Sequence, residues 1–123
     1  MSEIADALRR YAAFVTAGDV DGILSLYAAD ARIEIPVGGP IHEGIDAVRA
    51  FYRDNELAKR LEITGNPCVA GREAAVPMRA VVARGGELLG LDVIDVAAID
   101  EAGKLTRLRA FFDLAGARPL EQT

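Results

Sequence analysis

One aspartate and three tyrosines are the residues of this sequence best suited to chemistry. Asp95 lies in the run Glu87 to Ile99, where alternate residues are predicted to share one face of a strand, and its neighbours on that face are aliphatic. A carboxyl group in such surroundings loses hydration, which raises its pKa and favours a neutral acid that can donate a hydrogen bond. An ordinary structural carboxylate, capping a bulge or pairing with an arginine, is equally compatible with this strand alone.

Tyr11, Tyr27 and Tyr52 fall on the apolar stripes of three predicted helices. A buried tyrosine must find a partner for its hydroxyl, and three converging hydroxyls can share one network. For any single tyrosine, a core position with the hydroxyl at the surface is the commoner arrangement. The three tyrosines together with Asp95 nevertheless predict a pocket.

Composition excludes several other chemistries. The single histidine, His42, and the single cysteine, Cys68, cannot build a His/Cys zinc site within one chain, so no metal is expected. The glycines form neither G-x-G-x-x-G nor a P-loop, so no nucleotide cofactor is expected, and neither Ser2 nor Ser25 lies in a G-x-S-x-G turn. Nineteen acidic against fourteen basic residues give a net charge of -5, which argues against a nucleic-acid partner.

Length and hydrophobicity favour one ordinary globular domain spanning residues 1–123. The chain is 51% hydrophobic and 27% charged, and its apolar runs are far shorter than the roughly 20 residues that cross a bilayer, so no membrane partner is expected. The first residues do not show the basic segment followed by an apolar run that is typical of a secretory signal. With one cysteine no internal disulfide can form, and a cytoplasmic location is expected.

Three helices and one short strand are predicted in the first half. Gly18 ends the first helix, Asp19 caps the second, a strand spans Ala31 to Ile35, and the third helix spans about Gly44 to Asn55. The three apolar stripes are Ile4, Leu8, Tyr11 and Val15; Val20, Ile23, Leu24 and Tyr27; and Ile45, Val48, Phe51 and Tyr52.

The second half is predicted to consist of strands. They are Leu61 to Ile63, Cys68 to Ala70, Glu73 to Arg84, Glu87 to Ile99 and Leu105 to Leu114. Gly85-Gly86 is a two-residue hairpin connection, and helices followed by antiparallel strands indicate an α+β domain with helices on one face of a curved sheet. The strand from Glu87 to Ile99 is apolar on both faces, which favours a homodimer through the sheet over burial within one chain.

Six segments with compatible spacing resemble the bacterial delta5-3-ketosteroid isomerases along nearly the whole chain. They are Arg10-Tyr11 through Gly18-Asp19-Val20-Asp21-Gly22-Ile23, Leu26-Tyr27-Ala28-Ala29-Asp30-Ala31, Ile33-Glu34-Ile35-Pro36-Val37-Gly38, Ala50-Phe51-Tyr52-Arg53, Leu91-Asp92-Val93-Ile94-Asp95-Val96 and Gly103-Lys104. The resemblance implies the nuclear transport factor 2-like, polyketide-cyclase-like superfamily. Its cystatin-like fold is a cone-shaped, curved and mostly antiparallel sheet packed against three helices from the N-terminal half.

The resemblance also implies roles for individual residues. Tyr11 and Asp95 match the two oxyanion-hole donors that hold a steroid's carbonyl oxygen as it becomes a dienolate. Tyr27 and Tyr52 match tyrosines that extend the hydrogen-bond network in some members. Phe112, Val76 and Met78 match positions lining the pocket for a small, steroid-like apolar ligand, and no cofactor is implied.

One position departs from the family. The general base of the isomerases is an aspartate on the first strand, and Ile35 occupies that position in Glu34-Ile35-Pro36-Val37-Gly38. Glu34 is predicted to point to the other face unless a bulge before Pro36 turns it inward. Asp92, Asp113 or a water could substitute, although nothing in their spacing favours any of them.

Three interpretations therefore compete. The first is a ketosteroid-isomerase-like enzyme, weak or using a displaced base. The second is another reaction of the superfamily, such as epoxide hydrolysis or polyketide cyclisation. The third is a non-catalytic binder of steroid-like apolar ligands. The retained donors favour the first, while Ile35 argues against efficient proton transfer.

Overall fold

The order of helices and strands follows the predicted division into a helical half and a strand half. The computed structural model describes residues 2–120. Its helices are α1 (Glu3–Ala17), α2 (Val20–Ser25) and α3 (Ile45–Asp54), with a 3-10 turn at Leu114–Gly116. Its strands are β1 (Tyr27–Glu34), β2 (Ile41–Glu43), β3 (Arg60–Ile63), β4 (Cys68–Ala70), β5 (Glu73–Arg84), β6 (Glu87–Ile99), β7 (Leu105–Phe111) and β8 (Arg118–Pro119).

The strands form one curved, mixed sheet that is not closed. Its main path is β2-β1-β7-β6-β5-β3, with β4 added to β5 and β8 added to β6. The β1–β7 pair is parallel and every other pair is antiparallel. The three helices and the sheet enclose one apolar core, so the predicted α+β class and architecture are confirmed.

Helix α1 begins and ends where its local sequence dictates. The Ser2 hydroxyl accepts a hydrogen bond from the amide of Ala5 at 3.2 Å, and acidic Glu3 and Asp6 lie in the first turn, where the helix dipole favours negative charge. Gly18 ends the helix with φ at 68°, a left-handed conformation that glycine adopts without steric cost. These caps set the two ends of α1, and the spacing of its apolar residues sets the face on which Tyr11 is buried.

The prediction that Tyr27 lies on the second helix is wrong. Helix α2 stops at Ser25, and Tyr27 begins strand β1 instead of Ala31. The carbonyl of Leu26 accepts a hydrogen bond from the amide of Leu105 at 2.7 Å, and Tyr27 is paired with Leu105 in the sheet. Pairing with a distant strand therefore overrides the local helical pattern, and the tyrosine is still buried.

The β5–β6 hairpin is the longest pairing in the sheet and carries Asp95. Gly85 and Gly86 both have positive φ, 58° and 78°, and pair Arg84 with Glu87 as the turn requires. The same register continues to Val76 opposite Asp95. Odd-numbered residues of β6 from Leu91 onward face the core, so Asp95 lies on the aliphatic face.

The outer face of the sheet carries exposed apolar side chains. Pro77, Ile94 and Phe111 lie side by side on three neighbouring strands, and Ile94 and Phe111 are 47% and 40% exposed. Three ion pairs flank this row: Arg79–Asp92, Arg107–Glu73 and Arg109–Glu34. The second apolar face predicted for β6 is thus not covered by residues 2–120.

Two further differences concern short elements. The last long strand ends at Phe111 instead of Leu114, because Asp113 caps the 3-10 turn through the amide of Ala115. Strands β2 and β8 have only three and two residues and were not predicted. Among residues 2–120 no helix has the length and apolar character needed to span a bilayer.

Candidate functional site

A largely apolar cavity of about 440 Å³ lies between the helices and the inner face of the sheet. Its volume is in the range typical of small-molecule sites. Its polar lining residues are Tyr11, Tyr52, Asn55, Glu56, Arg84 and Asp95. The apolar ones are Val15, Ile35, Pro36, Phe51, Leu57, Ala58, Leu61, Ala80, Val82, Leu91, Val93, Ala110, Phe112 and Leu114.

Asp95 is a buried acid without a protein partner. It is 2% exposed, and its carboxyl group makes no hydrogen bond to any residue from 2 to 120. Within the same part of the chain, no fully buried side-chain oxygen or nitrogen lacks a partner, so the Asp95 carboxyl is reached from the cavity. Burial raises the pKa of Asp95 from 3.8 to about 7. A substantial fraction of the molecules therefore presents a neutral acid, a hydrogen-bond donor, to the cavity at neutral pH.

The three tyrosines form one hydrogen-bonded chain. The Tyr52 hydroxyl lies 2.9 Å from that of Tyr11 and 2.7 Å from that of Tyr27. Tyr52 is thus the central member, whereas Tyr27 lies behind it and does not line the cavity. Helix α1, helix α3 and strand β1 each supply one member.

The environment of the tyrosines keeps them neutral. Burial, with Asp95 nearby, raises the pKa of Tyr11 well above its ordinary value of 10.0. Burial also raises the pKa values of Tyr27 and Tyr52, because a phenolate in the interior loses its hydration. Each hydroxyl keeps its proton and remains able to donate it in a hydrogen bond.

The position expected for a general base carries no acid facing the cavity. Ile35 lines the cavity, directly after β1. Glu34 points to the opposite side, where its carboxylate accepts hydrogen bonds from the amide of Gly38 at 2.9 Å and from Arg109 at 3.0 Å. These two bonds lower the pKa of Glu34. The inward turn considered for Glu34 does not occur.

The other substitutes considered for the base also lie elsewhere. Asp92 is exposed on the outer face beside Arg79, and Asp113 caps the 3-10 turn. Among residues 2–120, the carboxylates that line the cavity are Asp95 and Glu56. Glu56 was not singled out from the sequence, and it pairs with Lys59 at 3.2 Å. Apart from Asp95 itself, the cavity lining within residues 2–120 therefore offers no buried, unpaired carboxylate to accept a proton.

Two predicted pocket residues lie in the core instead. Phe112 lines the cavity, whereas Val76 and Met78 are 0% and 1% exposed and do not line it. Val76 and Met78 belong to the buried core between the helices and the sheet, and the part of β5 that lines the cavity begins further along the strand, at Ala80. The sequence contains a signal for these lining residues. The Gly85-Gly86 turn sets the hairpin register, and strand alternation then places Ala80, Val82, Leu91 and Val93 on the same face as Asp95.

Nothing in the described chain forms a metal centre. Residues 2–120 contain no cluster of three or more His, Cys, Asp or Glu side chains placed to bind one ion. His42 lies on β2 against the ring of Phe51, with 5.0 Å between ring centroids.

Replacing Asp95 with asparagine is expected to change how stability depends on pH. A folded-state pKa of about 7 against 3.8 in the unfolded chain means that the folded protein binds the proton more tightly. The wild type therefore loses stability as pH rises from about 4 to about 7, and the penalty is complete above that range. We expect the stability of Asp95→Asn relative to wild type to increase by about 3–4 kcal/mol between pH 4 and 8. Urea unfolding at several pH values measures this difference.

Asp92→Asn is the matched control for this experiment, since Asp92 lies on the same strand with its side chain 92% exposed. Its stability relative to wild type should change far less over the same range. A difference between Asp95→Asn and wild type that stays constant from pH 4 to 8 would contradict the assignment of Asp95 as a neutral buried acid.

Comparison with known proteins places this geometry in a family. Residues 8–108 match the family model of the SnoaL-like domain. The chain is 35% identical over 112 residues to a steroid delta-isomerase of Nocardioides simplex, with 90% of each protein covered. The resemblance to ketosteroid isomerases is thereby confirmed.

Solved structures show the same fold with two different activities. SalBIII, an epoxide hydrolase/cyclase-like enzyme in pyran ring formation in the polyether salinomycin, superposes with a TM-score of 0.85 at 25% identity, with 95% of each chain covered. A delta5-3-ketosteroid isomerase from Mycobacterium sp. superposes with a TM-score of 0.81 at 24% identity, covering 96% of this chain and 98% of that one. The chain therefore belongs to the SnoaL-like domain family and has the nuclear transport factor 2-like fold of the ketosteroid isomerases.

Proposed function

We propose that this protein is a steroid delta-isomerase-like enzyme that moves a double bond into conjugation with a ketone. The observation that carries the proposal is that the Tyr11 hydroxyl and the unpartnered Asp95 carboxyl line one apolar cavity. Two neutral donors in a dry cavity stabilise the negative charge that develops on a carbonyl oxygen as a dienolate forms. The 35% identity to a steroid delta-isomerase supports this choice of reaction.

In this proposal, the chain of tyrosine hydroxyls directs its hydrogen bonds toward the ligand oxygen. The two oxygen–oxygen distances allow either hydroxyl of each pair to donate. In the proposed direction Tyr27 donates to Tyr52 and Tyr52 donates to Tyr11, which leaves the proton of Tyr11 for the ligand oxygen. Each donation polarises the next hydroxyl, so the last donor is stronger than an isolated phenol. Ile35, Phe112 and Tyr52 contribute cavity surface to the bound ring system.

Proton transfer is the slow step of this enzyme. Because Ile35 cannot accept a proton, a water that enters with the substrate takes the proton from the carbon between the ketone and the double bond, and the dienolate forms. The same water then returns a proton to the far carbon of the former double bond, and the ketone forms again. A positioned base is typically worth 10²- to 10⁴-fold in rate, and its loss leaves the contribution of the two donors intact. The protein therefore acts as a weak isomerase with intact oxygen recognition.

A second candidate is epoxide opening or cyclisation, favoured by the structural similarity to SalBIII. There the same two donors would hydrogen-bond to an epoxide oxygen while a hydroxyl of the substrate or a water attacks a ring carbon. The C–O bond to that carbon breaks, the epoxide oxygen becomes a hydroxyl by taking up a proton, and the attacking oxygen releases its proton to water. A non-catalytic binder of steroid-like ligands would use the cavity without either reaction. The discriminating measurement is turnover of a beta,gamma-unsaturated ketosteroid, since only the isomerase converts it.

We also propose that the chain works as a single domain of residues 1–123 within a cytoplasmic homodimer formed through the outer face of the sheet. The exposed row of Pro77, Ile94 and Phe111 gives that interface an apolar centre. The flanking ion pairs place both signs of charge on this face, as a self-complementary two-fold contact requires.

The interface is tested by sedimentation of the wild type and of Ile94→Asp. A charge at the centre of the row is expected to convert a dimer into a monomer, because it would be buried without a partner. Val69→Asp is the control, since Val69 is also exposed, at 44%, but lies on the short strand β4. A monomeric wild type would overturn the dimer.

Binding of a phenolic steroid analogue tests the two donors. Tyr11→Phe and Asp95→Ala should each weaken binding by about tenfold or more, the cost of losing one buried hydrogen bond, and the double variant should abolish it. Wild-type binding should also weaken as pH rises through about 7, because only protonated Asp95 donates. Tyr11→Phe should keep this pH dependence. Unchanged binding in the double variant would remove the site assignment.

Ile35→Asp tests whether the base alone is missing. Restoring a carboxylate at this position should raise the isomerisation rate by at least about 100-fold, the lower end expected of a positioned base. Steady-state turnover of the beta,gamma-unsaturated ketosteroid measures the gain. Glu34→Gln is the control, because Glu34 lies on the opposite side beside Arg109 and its loss should not lower the rate through proton transfer. No gain in Ile35→Asp would mean that the cavity is built for another reaction.

A further inference from the structure

The cavity has a second polar end that the proposed reaction does not use. Asp95 is opposite Val76 in the β5–β6 hairpin, whereas Arg84 is the last residue of β5, next to the Gly85-Gly86 turn. Eight residues of β5 separate Val76, the residue opposite Asp95, from Arg84, which corresponds to about 26 Å of backbone. Both side chains line the same cavity, so it extends along the hairpin toward the turn.

The surface between the two ends is apolar. Ala80 and Val82 of β5 and Leu91 and Val93 of β6 line the cavity between Asp95 and Arg84. They are on one face because alternate residues of a strand share a face and because the register pairs Ala80 with Leu91. A ligand that contacts both ends therefore has an oxygen at one end, an apolar body and a polar group at the other end.

Arg84 is the cation available for that second polar group. Its side chain makes no ion pair or hydrogen bond with any residue from 2 to 120. Glu87 lies directly across the hairpin and forms no ion pair with any residue from 2 to 120. Glu56, another acid that lines the cavity, is paired with Lys59 at 3.2 Å. The guanidinium is a planar donor that matches a carboxylate in a two-bond geometry.

We propose that Arg84 is a specificity-determining residue that binds a carboxylate at the far end of the ligand. The preferred ligand is an elongated apolar acid: a ring system whose ketone contacts Tyr11 and Asp95, extended at its remote end by a chain that carries the carboxylate. This inference rests on the proposed function for the position of the ketone. It adds a class of substrate that an apolar cavity alone would not select.

The net charge of the protein makes the effect specific to this site. At a net charge of -5 the molecule as a whole repels an anionic ligand, so a preference for an acid over its neutral ester requires a local cation. A charge-assisted hydrogen bond at a partly solvated site corresponds to about a tenfold change in affinity. Added salt weakens this preference, because the contact lies near solvent.

The experiment measures dissociation constants for two matched probes. One is a 3-keto steroid with a saturated carboxylic acid chain at the ring end remote from the ketone, and the other is the methyl ester of the same acid. The wild type should bind the acid at least about tenfold more tightly than the ester. Arg84→Met should reduce this ratio to one or below, because the arginine's apolar stem is retained while its charge is lost.

Arg72→Met is the matched control. Arg72 is exposed, does not line the cavity and approaches Glu101 at 3.9 Å, so its replacement should leave the acid-to-ester ratio as in the wild type. Equal binding of acid and ester by the wild type would overturn the role of Arg84 while leaving the proposed function standing. A preference that survives in Arg84→Met would overturn it as well. Failure of both probes to bind would instead contradict the steroid site itself.

Discussion

Burial of one carboxyl group without a protein partner is the constraint on which the functional interpretation depends. Asp95 lies on the aliphatic face of β6, 2% exposed, and the described chain offers it no arginine, amide or hydroxyl at hydrogen-bonding distance. Such a group costs stability whenever it is ionised, and an evolved core rarely keeps it without a use. In the proposed function, a ligand oxygen in the adjoining cavity supplies the hydrogen-bond partner that residues 2–120 do not provide.

The three tyrosines are also buried polar groups, and they find their hydrogen-bond partners in one another. The Tyr52 hydroxyl lies within hydrogen-bonding distance of the hydroxyls of both Tyr11 and Tyr27, so the polar groups of the network are paired with each other. In the proposed direction of donation, the proton of Tyr11 remains available at the cavity. Because burial raises the pKa of each tyrosine, the network stays uncharged. The combination of neutral donors and apolar walls is suited to binding an oxygen that becomes negative, more than to moving a proton.

Several features follow from local sequence. Ser2, Asp19 and Gly18 set the helix ends, and Gly85-Gly86 sets the register of the long hairpin, because caps and two-residue turns depend on neighbouring residues alone. Strand alternation in β6 was enough to predict that Asp95 would be on the aliphatic face. The resemblance to ketosteroid isomerases added a donor role for Tyr11 and identified Ile35 as a departure from the family, since it compares whole segments of sequence.

Tertiary structure decided what those patterns leave open. Tyr27 pairs in the sheet with Leu105, which lies 78 positions further along the chain, and no local sequence pattern predicts that pairing. Val76 and Met78 share a strand face with Ala80 and Val82, and only the packing of the helices over the sheet determines that the first two lie in the core and the others line the cavity. The orientation of Glu34 likewise depends on Arg109 of β7. The sequence by itself determined which side chains share a face, because that depends on backbone periodicity. Only the packed structure decided which of those faces opens on the cavity, because that depends on what lies across from them.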